Sequence, residues 1–256
     1  MEFNYDIAAE NGNVFQGNVF IEYGAKIGHN NFFSNNCTIK ADCIIGDDNY
    51  FGSNVCIGSP SRERLKGTCV VKNITERPKV IICNKNMFED HVVIQTSLES
   101  TTKINNNVCI GAFTHISHDS FINDNVVIAS HCSVGGYTIL LERVNLGIGT
   151  KIHQRTVIGA YAMTGAGSVV VNHIVPFATV VGIPAHYLHI NKIGLKRGGV
   201  SDAVINMISE WLDMKRSMEE LPDNIIDFIK EFRSSIEIWK RNKMPIPNVK
   251  LQHILL

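Results

Sequence analysis

The sequence predicts a mainly β chain: a left-handed parallel β-helix of hexapeptide repeats, followed by a small C-terminal α-helical domain. Three observations predict it. An apolar residue returns at every sixth position from Ile104 through Ile110, Ile116, Ile122, Ile128, Val134, Leu140, Leu146, Ile152 and Ile158 to Val170, with only Thr164 weak. Two residues before each, from Ile110 onward, stands a small or β-branched side chain, among them Val108, Thr114, Ser120, Cys132, Thr150 and Ser168. After Pro176 this period gives way to apolar residues three and four apart. A period of six suits neither an α-helix nor a plain alternating strand; three such hexads close one triangular coil, so residues about eighteen apart become vertical neighbours.

The same phase runs through the N-terminal part at Phe15, Ile21, Ile27, Phe33, Ile39, Ile45, Phe51 and Ile57. Residues 59–79 then break it with polar side chains and two prolines, which reads as a loop ejected from a coil corner. The phase resumes at Ile82, Phe88 and Ile94, and about four extra residues precede Ile104. They belong at a corner, because the stacked flats cannot accept an extra residue without losing register. The solenoid is assigned to residues 1–190 and the helical domain to 191–256. Ser201 suits the N-cap of a helix through Val204, Ile205, Ile208, Trp211 and Leu212. A second helix begins near Pro222 and carries Ile225, Ile229, Phe232 and Ile236 on one face. These faces are expected to pack on the last coil or on a neighbouring subunit.

Among 256 residues, 24 Lys and Arg balance 24 Asp and Glu with no block of like charge, which argues against nucleic acid as the main partner. The start MEFNYDIAAENGN has neither the basic nor the apolar part of a signal peptide, and no eighteen-residue apolar run exists. A cytoplasmic protein without a membrane span is expected. Seven cysteines, without CxxC spacing, include Cys37, Cys43 and Cys132 at inward small positions, where a reduced thiol packs as a small hydrophobe. No structural metal and no disulfide framework are expected. Solenoids leave flat faces that favour side-by-side association, so a homotrimer with clefts between subunits is expected.

The densest polar group in the repeats is Thr114-His115-Ile116-Ser117-His118-Asp119. Steps of eighteen carry His118 to Gly136 and then to Gln154, a column with rungs about 4.8 Å apart. Acyl transfer needs a base for a hydroxyl or amine proton and a donor for the tetrahedral oxyanion. His118 supplies the first, since histidine ordinarily titrates near neutrality, and the Gly136 N–H the second. Asp119 can orient His118 only through a bend at the corner. Beside this stand two rivals. The histidines and Gly135-Gly136 form an ordinary corner, or His115, His118, His131 and His153 hold zinc for a hydratase.

Three stretches carry a family resemblance: HISHD at 115–119, GIGTKIHQRTVIGAYAMTGAGSVV from Gly147, and NKIGLKRGGVS from Asn191. They resemble the UDP-N-acetylglucosamine acyltransferases, the first enzymes of lipid A assembly. The resemblance implies His118 as catalytic base, Asp119 as its partner acid and Gly136 as oxyanion donor. It implies His115 near the acceptor sugar, Lys66 as a loop lysine on the substrate, and His153 and Gln154 as a paired motif. Asn191 and Arg197 would hold the sugar nucleotide, and Met163 or Ala166 would limit acyl length. No cofactor is implied. The acyl donor is carried on the phosphopantetheine of acyl carrier protein or of CoA, and the site lies between subunits. Several positions depart from the pattern: Arg64 for an aspartate, Gln95 and Tyr137 for histidines, Ile193 for a glutamate and Gly198 for a second arginine. The base column is kept while the acceptor shell changes. An O-acyltransferase placing a 3-hydroxyacyl group on UDP-N-acetylglucosamine is expected, with N-acylation of another UDP- or dTDP-linked amino sugar from acyl carrier protein or acyl-CoA left open.

Overall fold

The computed structural model describes residues 11–65, 68–71 and 80–241. Among the described residues, strands of two to five residues stack into three sheets of ten, eight and seven strands, one on each side of the coil. Ile116 pairs in parallel with Val134, Val134 with Ile152, and Ile152 with Val170, the expected step of eighteen. Ile94 pairs with Ile116, twenty-two residues on, so four residues are inserted between those coils. The solenoid is thus a parallel, mainly β stack.

The hexad residues fill its axis. Phe15, Phe33, Phe51 and Phe88 stack at centroid distances of 5.0, 4.7 and 4.9 Å, and Ile110, Ile128 and Leu146 continue the column. At a neighbouring corner, Asn13, Asn31, Asn49 and Asn86 form a buried ladder, each amide oxygen accepting the next rung's backbone N–H at 2.8–2.9 Å. Thr164, the weak hexad, is fully buried because its hydroxyl meets that of Thr150 at 2.8 Å. Cys37, Cys43 and Cys132 are buried as expected.

Most corners among the described residues turn on a residue in the left-handed region, and along one edge these are Asp119, Tyr137 and Arg155. Asn and Asp accept such backbone readily; bulky residues there need support from their neighbours. Stacked rings supply it along the next edge, where Phe113 lies 4.6 Å from His91 and 5.2 Å from His131.

The excursion at 59–79 corrects one expectation: it is not only a loop. Arg62–Leu65 and Thr68–Val71 pair as an antiparallel hairpin with Leu65 opposite Thr68, and β-branched residues on the second strand suit that pairing. Lys66 lies outside the described residues.

Above the last hexads, Ala178–Val181 joins the ten-stranded sheet and His186–Ile190 returns antiparallel to it. Three α-helices follow among the described residues: α1 (Lys192–Arg197), α2 (Asp202–Leu212) and α3 (Asp223–Arg241). The Ser201 hydroxyl accepts from the Val204 N–H, the expected N-cap. The buried residues of these helices, Leu195, Ile208 and Ile229 among them, belong to one core with the last coils. Tyr161 meets Phe228 at 5.4 Å, and Phe177 meets Trp211 at 6.4 Å. The helices are therefore packed onto the end of the stack through a shared core. No helix among the described residues is long and apolar enough to cross a membrane.

Candidate active site

The expected column forms. The Tyr137 N–H donates to the His118 carbonyl at 3.0 Å, and the Arg155 N–H to the Gly136 carbonyl at 2.8 Å, so residues 118, 136 and 154 stand one above another. A Cβ on residue 136 would lie 2.6 Å from His118 Cε1 and 2.7 Å from Nε2. Only glycine lets the imidazole lie flat against this rung. The Gly136 N–H donates to no group among the described residues.

Adjacent strand residues point apart, yet His118 and Asp119 meet. The cause is the corner: Asp119 has φ +56°, which swings its carboxylate back under the ring. His118 Nδ1 lies 2.9 Å from Asp119 Oδ2. As donor, Nδ1–H leaves Nε2 as the ring's free acceptor.

The four inserted residues supply what the sequence did not reveal. The backbone N–H of Leu98 donates to Asp119 Oδ2 at 2.8 Å. Those of Glu99 and Ser100 donate to Oδ1 at 3.1 and 2.6 Å, and the Ser100 hydroxyl adds a bond of 2.8 Å. The Asp119 side chain has no exposed surface. Burial pushes its pKa up, but the bonds from His118, Leu98, Ser100 and Glu99 outweigh it and hold the pKa at about 2. Because the folded value lies below the ordinary carboxylate value, this pair stabilises the fold above pH 4 and stops doing so as pH falls through about 2. Asp119→Asn should therefore lower stability at pH 7 by about 2 kcal/mol, a gap that closes between pH 4 and 2. Thermal melts across that range measure it.

Tyr137 walls the other side of the imidazole. Its ring stands edge-on to His118 at 5.0 Å and 88°, and the Arg155 guanidinium lies 5.0 Å from its centroid. Only 6% of Tyr137 is exposed, and burial, Asp119 and Glu99 hold its phenol above the usual range. It shapes the site rather than presenting a surface to solvent. His115 is half-buried on the strand preceding the corner, beside Val93 and Ser133. Burial and nearby His118 lower its pKa. A cleft of about 580 Å³ opens beside the corner, between Glu99, Ser100, Phe121 and Ile139 and the α3 residues Glu231 and Ile238.

The remaining predicted residues are spread further. His153 and Gln154 are exposed on the upper rung, with His153 Nδ1 3.0 Å from the Gln154 carbonyl. Gln95 is half-buried and pairs with Ser59 across a bulge, while Met163 is half-buried beside Asn145 and Thr179. Ala166 is exposed on the turn beyond. Asn191 serves the fold. It is 5% exposed and caps α1, accepting from the Gly194 N–H at 3.0 Å and donating to the Tyr161 carbonyl at 2.8 Å. Its amide is committed to the fold, as an N-cap at a buried helix start must be. Arg197 is exposed in the last turn of α1, and Ile193 is 67% exposed on the same helix. At Gly198 a Cβ would lie 2.5–2.9 Å from the Tyr161 ring, so the residue at 198 and the ring at 161 compete for one space. Among the described residues, no group of three or more His, Cys, Asp or Glu is gathered as a metal site.

Residues 24–59 match the model of the bacterial transferase hexapeptide (six repeats), and residues 174–236 that of the UDP-N-acetylglucosamine O-acyltransferase, domain 2. An acyl-(acyl-carrier-protein)–UDP-N-acetylglucosamine O-acyltransferase of Gloeothece citriformis is 29% identical over 166 residues, covering 64% of this chain and 58% of that protein. Its counterpart in Herminiimonas arsenicoxydans is 35% identical over 136 residues, 52% of each chain. The chain thus spans about half to six-tenths of the length of these relatives. The UDP-N-acetylglucosamine acyltransferase structure from Campylobacter jejuni superposes with a TM-score of 0.72 at 20% identity, covering 96% of this chain and 88% of that one. The one from Bacteroides fragilis gives 0.69 at 22%, covering 90% and 98%. At these identities the likeness is one of fold. In its repeats, its C-terminal segment and its curated matches alike, the chain is similar to the UDP-N-acetylglucosamine O-acyltransferases.

Proposed function

We propose that the protein is an acyltransferase that moves a 3-hydroxyacyl group from acyl carrier protein to a hydroxyl of UDP-N-acetylglucosamine. The observation that carries this reading is the His118–Asp119 pair, bonded at 2.9 Å and resting on Gly136. His118 Nε2 takes the acceptor's proton as its oxygen attacks the thioester carbon, and Asp119 holds Nδ1–H in place. The Gly136 N–H receives the oxyanion, a contact typically worth about 3–4 kcal/mol in the transition state. Collapse forms the ester, breaks the C–S bond and returns the proton from His118 to the departing thiolate. The chemistry calls for no cofactor beyond the donor's own phosphopantetheine. A left-handed winding, a C-terminal helical domain, a cytoplasmic homotrimer and substrate clefts between subunits complete the reading. There, Arg197 pairs with the diphosphate, and His115, Gln95, His153 and Gln154 line the sugar.

N-acylation of a different amino-sugar nucleotide is a second reading, favoured by the exclusion of any side chain at residue 198 by Tyr161. The same base would serve, since a sugar ammonium must also lose a proton before attack.

His118→Ala should lower transfer by about 10²–10⁴-fold in a protein that still folds. Product mass spectrometry checks both readings, with UDP-N-acetylglucosamine and amino-sugar nucleotides competing for acyl carrier protein and CoA donors. An ester supports the first reading and an amide the second. An active His118→Ala variant removes the mechanism.

A further inference from the structure

We propose that the inserted segment Leu98–Thr101 is a holder for the carboxylate of Asp119, with Ser100 as a positioning residue that fixes the tautomer of His118. The inference rests on His118 being the base of the reaction above. The corner one coil earlier on this edge carries the 59–79 excursion, and this one carries four residues beyond the six-residue phase. The extra length places three successive main-chain N–H groups against one buried carboxylate, from Leu98, Glu99 and Ser100. Ser100 alone gives two of the bonds, through its N–H at 2.6 Å and its hydroxyl at 2.8 Å, both to Oδ1. The corner is also pinned from the chain side, since the Asp119 N–H donates to the Thr102 hydroxyl at 2.8 Å.

The geometry divides the labour between the two oxygens. Oδ1 is filled by Glu99 and Ser100, while Oδ2 faces Leu98 and His118 Nδ1. A carboxylate saturated on one oxygen cannot rotate, so its other oxygen presents a fixed acceptor to the imidazole. That acceptor selects the tautomer with hydrogen on Nδ1 and leaves Nε2 ready to accept a proton. A buried carboxylate held only by His118 would share its lone pairs with whichever ring nitrogen came near. Glu99 also lines the cleft beside Tyr137, the ring that stands edge-on to His118. Carboxylate and tyrosine therefore bound the imidazole on two sides, with the holder behind the carboxylate.

The test is Ser100→Ala in the full chain, beside Ser100→Thr, which keeps the hydroxyl, and His118→Ala. Nitrogen-15 NMR of the histidine rings reads the His118 tautomer without reference to activity. The expected result is a mixed tautomer population in Ser100→Ala and a kcat about ten-fold lower at unchanged KM, with both restored in Ser100→Thr. An unchanged tautomer overturns the holder, even if melting temperature or kcat falls, because a purely structural serine would act that way. If His118→Ala retains full activity, the reaction reading falls instead, and the NMR result still decides the holder.

Discussion

A Gly136→Ala variant should fold normally and transfer almost nothing. The backbone at Gly136 lies outside the left-handed region, so alanine meets no conformational barrier there. Its Cβ, however, would sit 2.6–2.7 Å from two atoms of the His118 ring, closer than any ordinary contact. The ring is the part that gives way, because Asp119 is held from four sides and cannot follow it. Tilting the imidazole breaks the 2.9 Å bond to Oδ2 and turns Nε2 away from the acceptor. Misplacement on that scale typically costs about 10²-fold, and loss of the base up to about 10⁴-fold. Steady-state kinetics beside a thermal melt measures the effect. Undiminished activity would show that the imidazole does not work from this position.

The second large effect concerns the stack itself. Phe51 is fully buried between Phe33 and Phe88, with ring centroids 4.7 and 4.9 Å away. Phe51→Ala should destabilise the fold by about 3–5 kcal/mol, a large share of the 5–15 kcal/mol typical of a domain. Phe51→Leu, which refills most of the space, should cost less than half of that. Each coil contacts mainly its neighbours, so a gap at one rung uncouples the rungs below it from those above. Urea unfolding followed by circular dichroism gives both values. Equal midpoints for the alanine and leucine variants would mean that the coil collapses around the gap.

The solenoid was largely legible because its code is one side chain in six: Ile116, Val134 and Ile152 announce their own register. Ser201 and Pro222 marked the starts of two helices for the same reason, since capping depends on residue type at one position. The holder of Asp119 was not legible, because main-chain N–H groups have no letter of their own. The four extra residues before Ile104 were countable; what they grip was not. The burial of Tyr137 and Asn191 was hidden in a related way. Both are polar residues in suggestive places, but their burial depends on partners far along the chain, Arg155 and Tyr161, that no local pattern connects to them. The hairpin at Arg62–Val71 was hidden by its polar residues, which read as a loop until opposite strands are seen to pair.

The four-residue insertion also bears on how such a protein can change. Ile94 and Ile116 remain in register across it, so the apolar interior takes no notice of the added length. Corners are thus the places where the chain can be edited like a hem, lengthened at the edge while the cloth stays as it was. A coil that gains a few residues there acquires new donors above an existing side chain without any repacking of its own. Reactivity in this architecture can then be revised one edge at a time, and transplanting residues 98–101 onto another corner with an aspartate in the following coil would be the constructive form of the same idea.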